Sequence, residues 1–529
     1  MRRVCSVLIS LAVAGVGCGG SKPPAGGGKG GSAGTTGAAG TTGVGGTGGG
    51  SGTGGIDAAA DYGPVTPLEH VTSVFPANGA TSACTDSPLR LNFDIPPMTG
   101  PGGSVRVFDE GNPATPVDSF DIAAAMPTQT IGPRNYYYKP IVINGNEAYI
   151  YLRRVLQPGK TYYVTIDPGV FTNGFNGPAI GAVTDASTWR FTVRSTTLAA
   201  GAAQIAVAAD GSGDFCTVQG AADYIPAMNT TPVTINVAAG TYREIVAIYQ
   251  KSNITLHGAD RNGTVISYPN DDAMQTPPGG AAMGTKWRAM IGIDSGNDVV
   301  IENITIWNPA PQLSTGGQSE ALRSEGGQRV ILRNANFKGL QDTLLLTGQV
   351  YVSNSYIEGD VDFIWGNGVV YLDHCEIKDV SRKGYNVQAR NPSGTFGYVF
   401  VDSMLTSDPG ITGHVLARTN KATTTPGSQV AYINCTMGPH IDPVGWLIDG
   451  YTRPAADAGA PDGGTTWNLA GLRFAEYKSV DPSGAPIDVS MRIPESKQLS
   501  DSEAAQLRDV TYVFGGWNPK TTAIDAGSD

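Results

Sequence analysis

An all-β chain, a parallel β-helix preceded by a smaller β-sandwich, is predicted from three observations. The second half of the sequence carries a strand-and-turn repeat, a block of short alternating strands lies before it, and a tract of small residues precedes both. The repeat emerges when Val299-Val-Ile-Glu-Asn303, Val330-Ile-Leu-Arg-Asn334, Val350-Tyr-Val-Ser-Asn354, Val369-Val-Tyr-Leu-Asp373, Tyr398-Val-Phe-Val-Asp402 and Val430-Ala-Tyr-Ile-Asn434 are aligned. Each segment ends in Asn or Asp. The intervals of about twenty or thirty residues are those of solenoid coils with occasional loop insertions. An apolar strand, a polar turn residue and a second short strand such as Ile304-Thr-Ile306 make one rung, with rungs about 4.8 Å apart.

The sandwich is expected over 65–196. Leu89-Arg-Leu-Asn-Phe93 and Thr161-Tyr-Tyr-Val-Thr-Ile166 alternate with period two between Gly, Pro and Asn turns. Residues 19–62 are mostly Gly, Ser, Thr and Ala, which bury too little apolar surface to offset chain entropy and read as a linker. Residues 1–18 read as a signal peptide: Arg2 and Arg3 precede the apolar run Val4 to Val16, too short to span a bilayer. Cys18 followed by Gly-Gly-Ser resembles a lipoprotein processing site. A lipid anchor at Cys18 and plain secretion after cleavage nearby both stay open, and the expected location is secreted or anchored at the outer membrane or cell surface.

Of the six cysteines, Cys84, Cys216, Cys375 and Cys435 lie beyond the leader. Their spacing suggests no metal site. Buried thiols are the favoured reading, with one disulfide in an exported protein left open. Charged residues make up only 15% of the chain, and the net charge of -11 argues against nucleic acid or an anionic membrane surface as partner. An acidic polymer is compatible only if its charges are masked or the binding groove is locally basic.

Asp342 lies eight residues after Asn334, and Asp362 eight after Asn354. Equivalent positions on consecutive rungs bring the two side chains to roughly 5 Å, where the carboxylates repel unless one is protonated or a cation intervenes. An acid beside a carboxylate suits proton donation by one and attack by the other. That geometry alone also describes a retaining glycosidase or a calcium site. Gln341, beside Asp342, and Gln318, twenty-three residues earlier, favour acyl chemistry, because neutral amides can donate to a tetrahedral oxyanion.

Several ordered phrases carry a family resemblance: ADGSGDFCTVQGAAD near the start of the repeat region, GTYREIV at 240–246, QSEALR at 318–323, GLQDTLL at 339–345, YIEGDVDFIWGNG at 356–368, PVGW at 443–446 and FAEYKS at 474–479. With them, residues 198–525 resemble the pectin methylesterases. The segments VFPANGATSACTDSPLRLNFD, LQPGKTYYVTI and STWRFTVRS resemble bacterial Ig-like modules, with a spacer or weak sugar-binding role as the default.

The resemblance implies a right-handed, single-stranded β-helix that hydrolyses methyl esters of homogalacturonan (pectin), without metal or organic cofactor; a monomer is expected because capped β-helices are often monomeric. It implies Asp362 as nucleophile, Asp342 as general acid and then base, Gln318 and Gln341 as the oxyanion hole, and Arg418 as the partner of Asp362. The family's Leu-Gly-Arg-Pro-Trp is Leu416-Ala-Arg-Thr-Asn420 here, so Asn420 replaces a groove tryptophan. Phe363, Trp365, Asn420 and Arg390 are the expected substrate contacts, and Arg390 is the alternative to Arg418. Glu244 reads as a local cap. An esterase or thioesterase of another substrate, or a non-catalytic polysaccharide binder, are the rival readings.

Overall fold

The computed structural model describes residues 68–311, 317–381, 383–420, 423–452 and 466–521. The signal, lipidation and linker readings fall outside them. Among the described residues no helix is long and apolar enough to cross a membrane.

From Gln204 onward the repeat forms three long sheets of parallel strands. The first runs from Gln204–Val207 to Lys497–Gln498, the second from Gly240–Tyr242 to Thr436–Met437, and the third from Val246–Tyr249 to Trp446–Leu447. Parallel neighbours need a crossover, and each coil supplies it by passing through the other two sheets. Inward positions stack in register. Val299, Val330, Val350, Val370, Tyr398 and Val430 are successive partners, all fully buried. Each such side chain taken from water contributes roughly 1.5–3 kcal/mol.

The residue that ends each of these strands turns left-handed, with φ between +47° and +56° at Asn303, Asn334, Asn354, His374, Asp402, Asn434 and Lys478. Asn and Asp tolerate that conformation because a short polar side chain can bond locally. One expectation needs correction. Val350 pairs with Val370, not Val369, so His374 rather than Asp373 occupies the turn. The pleat decides the register, because a one-residue slip would turn Val370 and Leu372 out of the core.

The region before the helix is antiparallel. Val71–Phe75, Leu89–Phe93, Glu147–Ile150 and Ile141–Asn144 form one sheet; Arg190–Thr192, Thr161–Ile166, Ser104–Asp109 and Asp118–Asp121 form another. Their core centres on Leu91, Val107, Val164 and Trp189, whose indole N–H donates to the Pro76 carbonyl at 2.8 Å. This sandwich packs on the first coils of the helix through Tyr138, Tyr149 and Tyr151, with Tyr138 stacked on Tyr268 at 4.5 Å. A disulfide joins Cys84 to Cys216, whereas Cys375 and Cys435 are buried free thiols. The buried-thiol expectation thus fails for the first two cysteines, because docking brings their Cα atoms to 5.9 Å. Glu244 does cap: its carboxylate accepts from the N–H groups of Val218 and Gln219 at the start of the helix Val218–Tyr224.

Candidate active site

The third sheet carries the site. Leu322 pairs with Leu344 and Leu344 with Ile364, so Glu320, Asp342 and Asp362, each two residues earlier, occupy one column on three successive rungs. Asp342 and Asp362 both adopt left-handed backbone, with φ of +69° and +51°. Such strain costs on the order of 1–3 kcal/mol and persists where the surrounding structure over-determines it. Part of that structure is the bond from the Asp342 N–H to the Val361 carbonyl, which ties the two turns together at 3.1 Å.

The two aspartates have different surroundings. Asp362 is gripped at both oxygens by Arg418, with Nε donating at 2.7 Å to Oδ1 and Nη2 to Oδ2, and it accepts a third bond from Gln388 Nε2 at 3.0 Å. Burial pushes its proton affinity up, and the Arg418 hydrogen bonds and charge pull it back. Arg418 is itself fixed by Asp449 and lies 4.8 Å from the Tyr385 ring. Asp342 is only 3% exposed and sits next to Glu320 in the column, so burial first and the Glu320 charge second hold its carboxyl well above the usual carboxylate range. Proton affinity is thus raised across the group: well above the usual range at Asp342, and raised also at Glu320 and, against the pull of Arg418, at Asp362.

Arg288 organises the Asp342 side. From the helical turn Thr285–Arg288 it donates to Asp342 Oδ2 at 2.7 Å, to Gln318 Oε1 at 2.6 Å, to Asp272 at 2.9 Å and to both oxygens of Glu320. A guanidinium can only donate, so the amide oxygen of Gln318 must face Arg288 and its NH2 must turn away. That NH2 is the group an oxyanion would use. Gln341 is half-buried beside Asp342, and its carbonyl accepts from Ser319 N–H, tying the two glutamine segments together.

A chain with this site is 32% identical over 317 residues to Pectinesterase 31 of Arabidopsis thaliana, an alignment spanning 58% of this chain and 92% of that protein. The chain belongs to the pectinesterase family. It is a carboxylic ester hydrolase. The pectinesterase family model matches residues 204–453, and a bacterial Ig-like domain model matches 65–193. Pectinesterase 2 of Olea europaea is 30% identical over 311 residues, covering 57% of this chain and 76% of that protein. A solved pectin methylesterase in complex with a hexasaccharide superposes with a TM-score of 0.50 at 25% identity, covering 60% of this chain and 98% of that one.

Among the remaining expected residues of this pectinesterase, Trp365 is in register with Gln388 and Arg418 on the same side of the sheet. Its ring, 6% exposed, lies 4.4 Å from the Arg390 guanidinium and 5.8 Å from that of Arg288, making it a platform for cations. Arg390 is hydrogen-bonded to Asp362 through Gln388, whose Oε1 accepts from Arg390 Nε at 2.6 Å, and acts on it besides through its charge. Arg418 is the direct partner. Asn420 is half-buried, and its carbonyl accepts from Thr423 N–H. Phe363 is corrected: it is fully buried within the core and offers no surface to a substrate, because the left-handed turn at Asp362 and the register shift beside it break the alternation and put both Phe363 and Ile364 into the core. Sequence reasoning missed Arg288, Glu320 and Gln388. Glu320 lay inside a quoted motif and one rung behind Asp342, whereas a lone arginine in Lys286-Trp-Arg-Ala289 carried no signal.

Proposed function

We propose that the enzyme removes methyl esters from homogalacturonan, releasing methanol and leaving free carboxylates. The observation that carries this reading is the aspartate pair in register on adjacent rungs, one held by Arg418 and the other buried beside Glu320. The Asp362 carboxylate attacks the ester carbonyl carbon, and the resulting oxyanion is met by the amide NH2 groups of Gln318 and Gln341. Asp342 gives its proton to the departing methoxide, methanol leaves, and an acyl anhydride remains on Asp362. Asp342, now a carboxylate, takes a proton from water; the hydroxide opens the anhydride, restoring ionised Asp362 and protonated Asp342.

Arg418 is already bound by Asp362 and Asp449, so Arg390, which bonds the neutral Gln388 and packs on Trp365, is the cation that would meet a polymer becoming anionic as esters are removed. The Cys84–Cys216 disulfide supports an exported location, since such bonds persist in oxidising compartments. In this reading the chain acts on extracellular polymer with two modules, 65–196 and 198–525. Methanol release from methyl-esterified pectin tests the chemistry: Asp362→Ala should abolish it, and near-normal turnover in that variant refutes the assignment.

A further inference from the structure

Among the described residues the hairpin Thr128–Ile131 with Arg134–Tyr137 pairs only with itself. An isolated hairpin is marginal in water, so this one must be held by what it packs on. Its apolar residues Ile131 and Tyr136, each 3% exposed, belong to the core cluster of the β-helix and not to that of the sandwich that carries them. The fit is close at the bend. Gly132 has φ of +55°, and a Cβ there would come within 2.8 Å of Ala247 Cβ.

What the hairpin covers is the turn that carries Arg288. Trp287 Nε1 donates to the Asn135 carbonyl at 3.0 Å, Tyr136 Oη donates to the Lys286 carbonyl at 3.2 Å, and the Arg134 guanidinium lies 5.7 Å from the Trp287 ring. On the other side Asn270 Nδ2 donates to the carbonyls of Trp287 and Ala289. Asn270 is bonded by Gln275, whose amide in turn makes two bonds to the backbone of Tyr137. The turn Thr285–Arg288 has only four residues and no side-chain cap. A single helical turn does not hold itself together, since nucleation spends the order of several dihedrals on one bond. Its direction is therefore held from outside, by the hairpin on one side and by Asn270 on the other.

We propose that the Thr128–Tyr137 hairpin of the Ig-like module is a positioning element of the esterase site, seating the Thr285–Arg288 turn so that Arg288 holds Asp342 and orients the Gln318 amide. The module is then part of the catalytic apparatus and more than a spacer. The proposal rests on the reading of Asp342 as the acid and Gln318 as an oxyanion donor. The charged groups facing Asp342 are Glu320, Arg288, Asp362 and Arg390, and Asp272 also faces Arg288. Displacing Arg288 withdraws a cation from Asp342, so Asp342 keeps its proton to higher pH.

The test uses the full chain with three variants: Tyr136→Phe/Trp287→Phe, which removes two donors and keeps an aromatic ring at each position; Arg288→Gln; and Arg106→Ala, which breaks a sandwich ion pair with Asp167 away from the hairpin. In the hairpin variant, kcat for methanol release should fall on the order of ten-fold with KM unchanged. The basic limb of its kcat–pH profile should move to higher pH, the direction expected for Arg288→Gln, while Arg106→Ala leaves both unchanged. If Arg288→Gln is impaired and the hairpin variant is not, or if the hairpin variant loses kcat without a shifted limb, the positioning role is overturned and the site reading stands. If Arg288→Gln has normal kcat and profile, both fall.

Discussion

Glu320 and Asp342 stand one rung apart in the same column and share a single cation, the buried guanidinium of Arg288. Asp272 bonds the same guanidinium, and burial with this crowding of carboxyls raises the proton affinity of both Glu320 and Asp342. That arrangement sets the first prediction. Glu320→Gln removes the like charge that raises the Asp342 proton affinity and frees Arg288 to act on Asp342 alone. Asp342 should then ionise at lower pH, and the basic limb of the kcat–pH profile, measured by methanol release, should move down.

The grip of Arg418 on Asp362 sets a second. Arg418→Lys keeps a positive charge but loses the two-pronged donor geometry, and the hydrogen bonds are the larger part of what counters burial at Asp362. The variant should lose on the order of a hundred-fold in kcat. Its acid limb should shift to higher pH, because Asp362 binds its proton more tightly.

Asp342 also bears on stability. Its folded-state proton affinity lies well above the ordinary 3.8, so the folded protein retains a proton that the unfolded chain has released. The folded state binds more protons, and stability falls as pH rises from 3.8 through the raised value. Asp342→Asn removes that penalty. Calorimetry at pH 8 should show its Tm raised by about 2 °C or more, with the gain vanishing near pH 4, while kcat falls on the order of a hundred-fold.

The Cys84–Cys216 bond closes a loop over a sequence separation of 132. By loop entropy alone it stabilises the folded chain by about 5 kcal/mol. Cys84→Ser/Cys216→Ser should lower the denaturation midpoint accordingly, and an unchanged midpoint would show that the docked sandwich needs no covalent tie.

Much of this was legible in the chain, and the reason is periodicity. A rung repeats its own strand and turn, so Asp342 and Asp362 could be placed together by counting from Asn334 and Asn354, and the pairing of Leu344 with Ile364 keeps that count. Counting failed where the pleat overrode it. The repeat alone places Asp373 at the turn that His374 occupies, and Phe363, a substrate contact by family resemblance, faces the core. It failed also beyond the regular rungs. The register shifts between Val361 and Ile364 against the next strand, so Gln388, which bonds Asp362, does not stand at a repeat distance from it.

Local composition and repeat thus determined the solenoid, the antiparallel module before it and the meeting of the two aspartates, because each follows from spacing along a chain with a fixed rise per rung, while Gln318, Gln341 and Arg418 were read from residue chemistry and the family motifs. Only the tertiary structure decided the Cys84–Cys216 pairing, the reach of Arg288 to Asp342 and Gln318, and the hairpin laid over its turn. Those contacts join segments distant in sequence across a docked surface, where no period relates one residue number to the other.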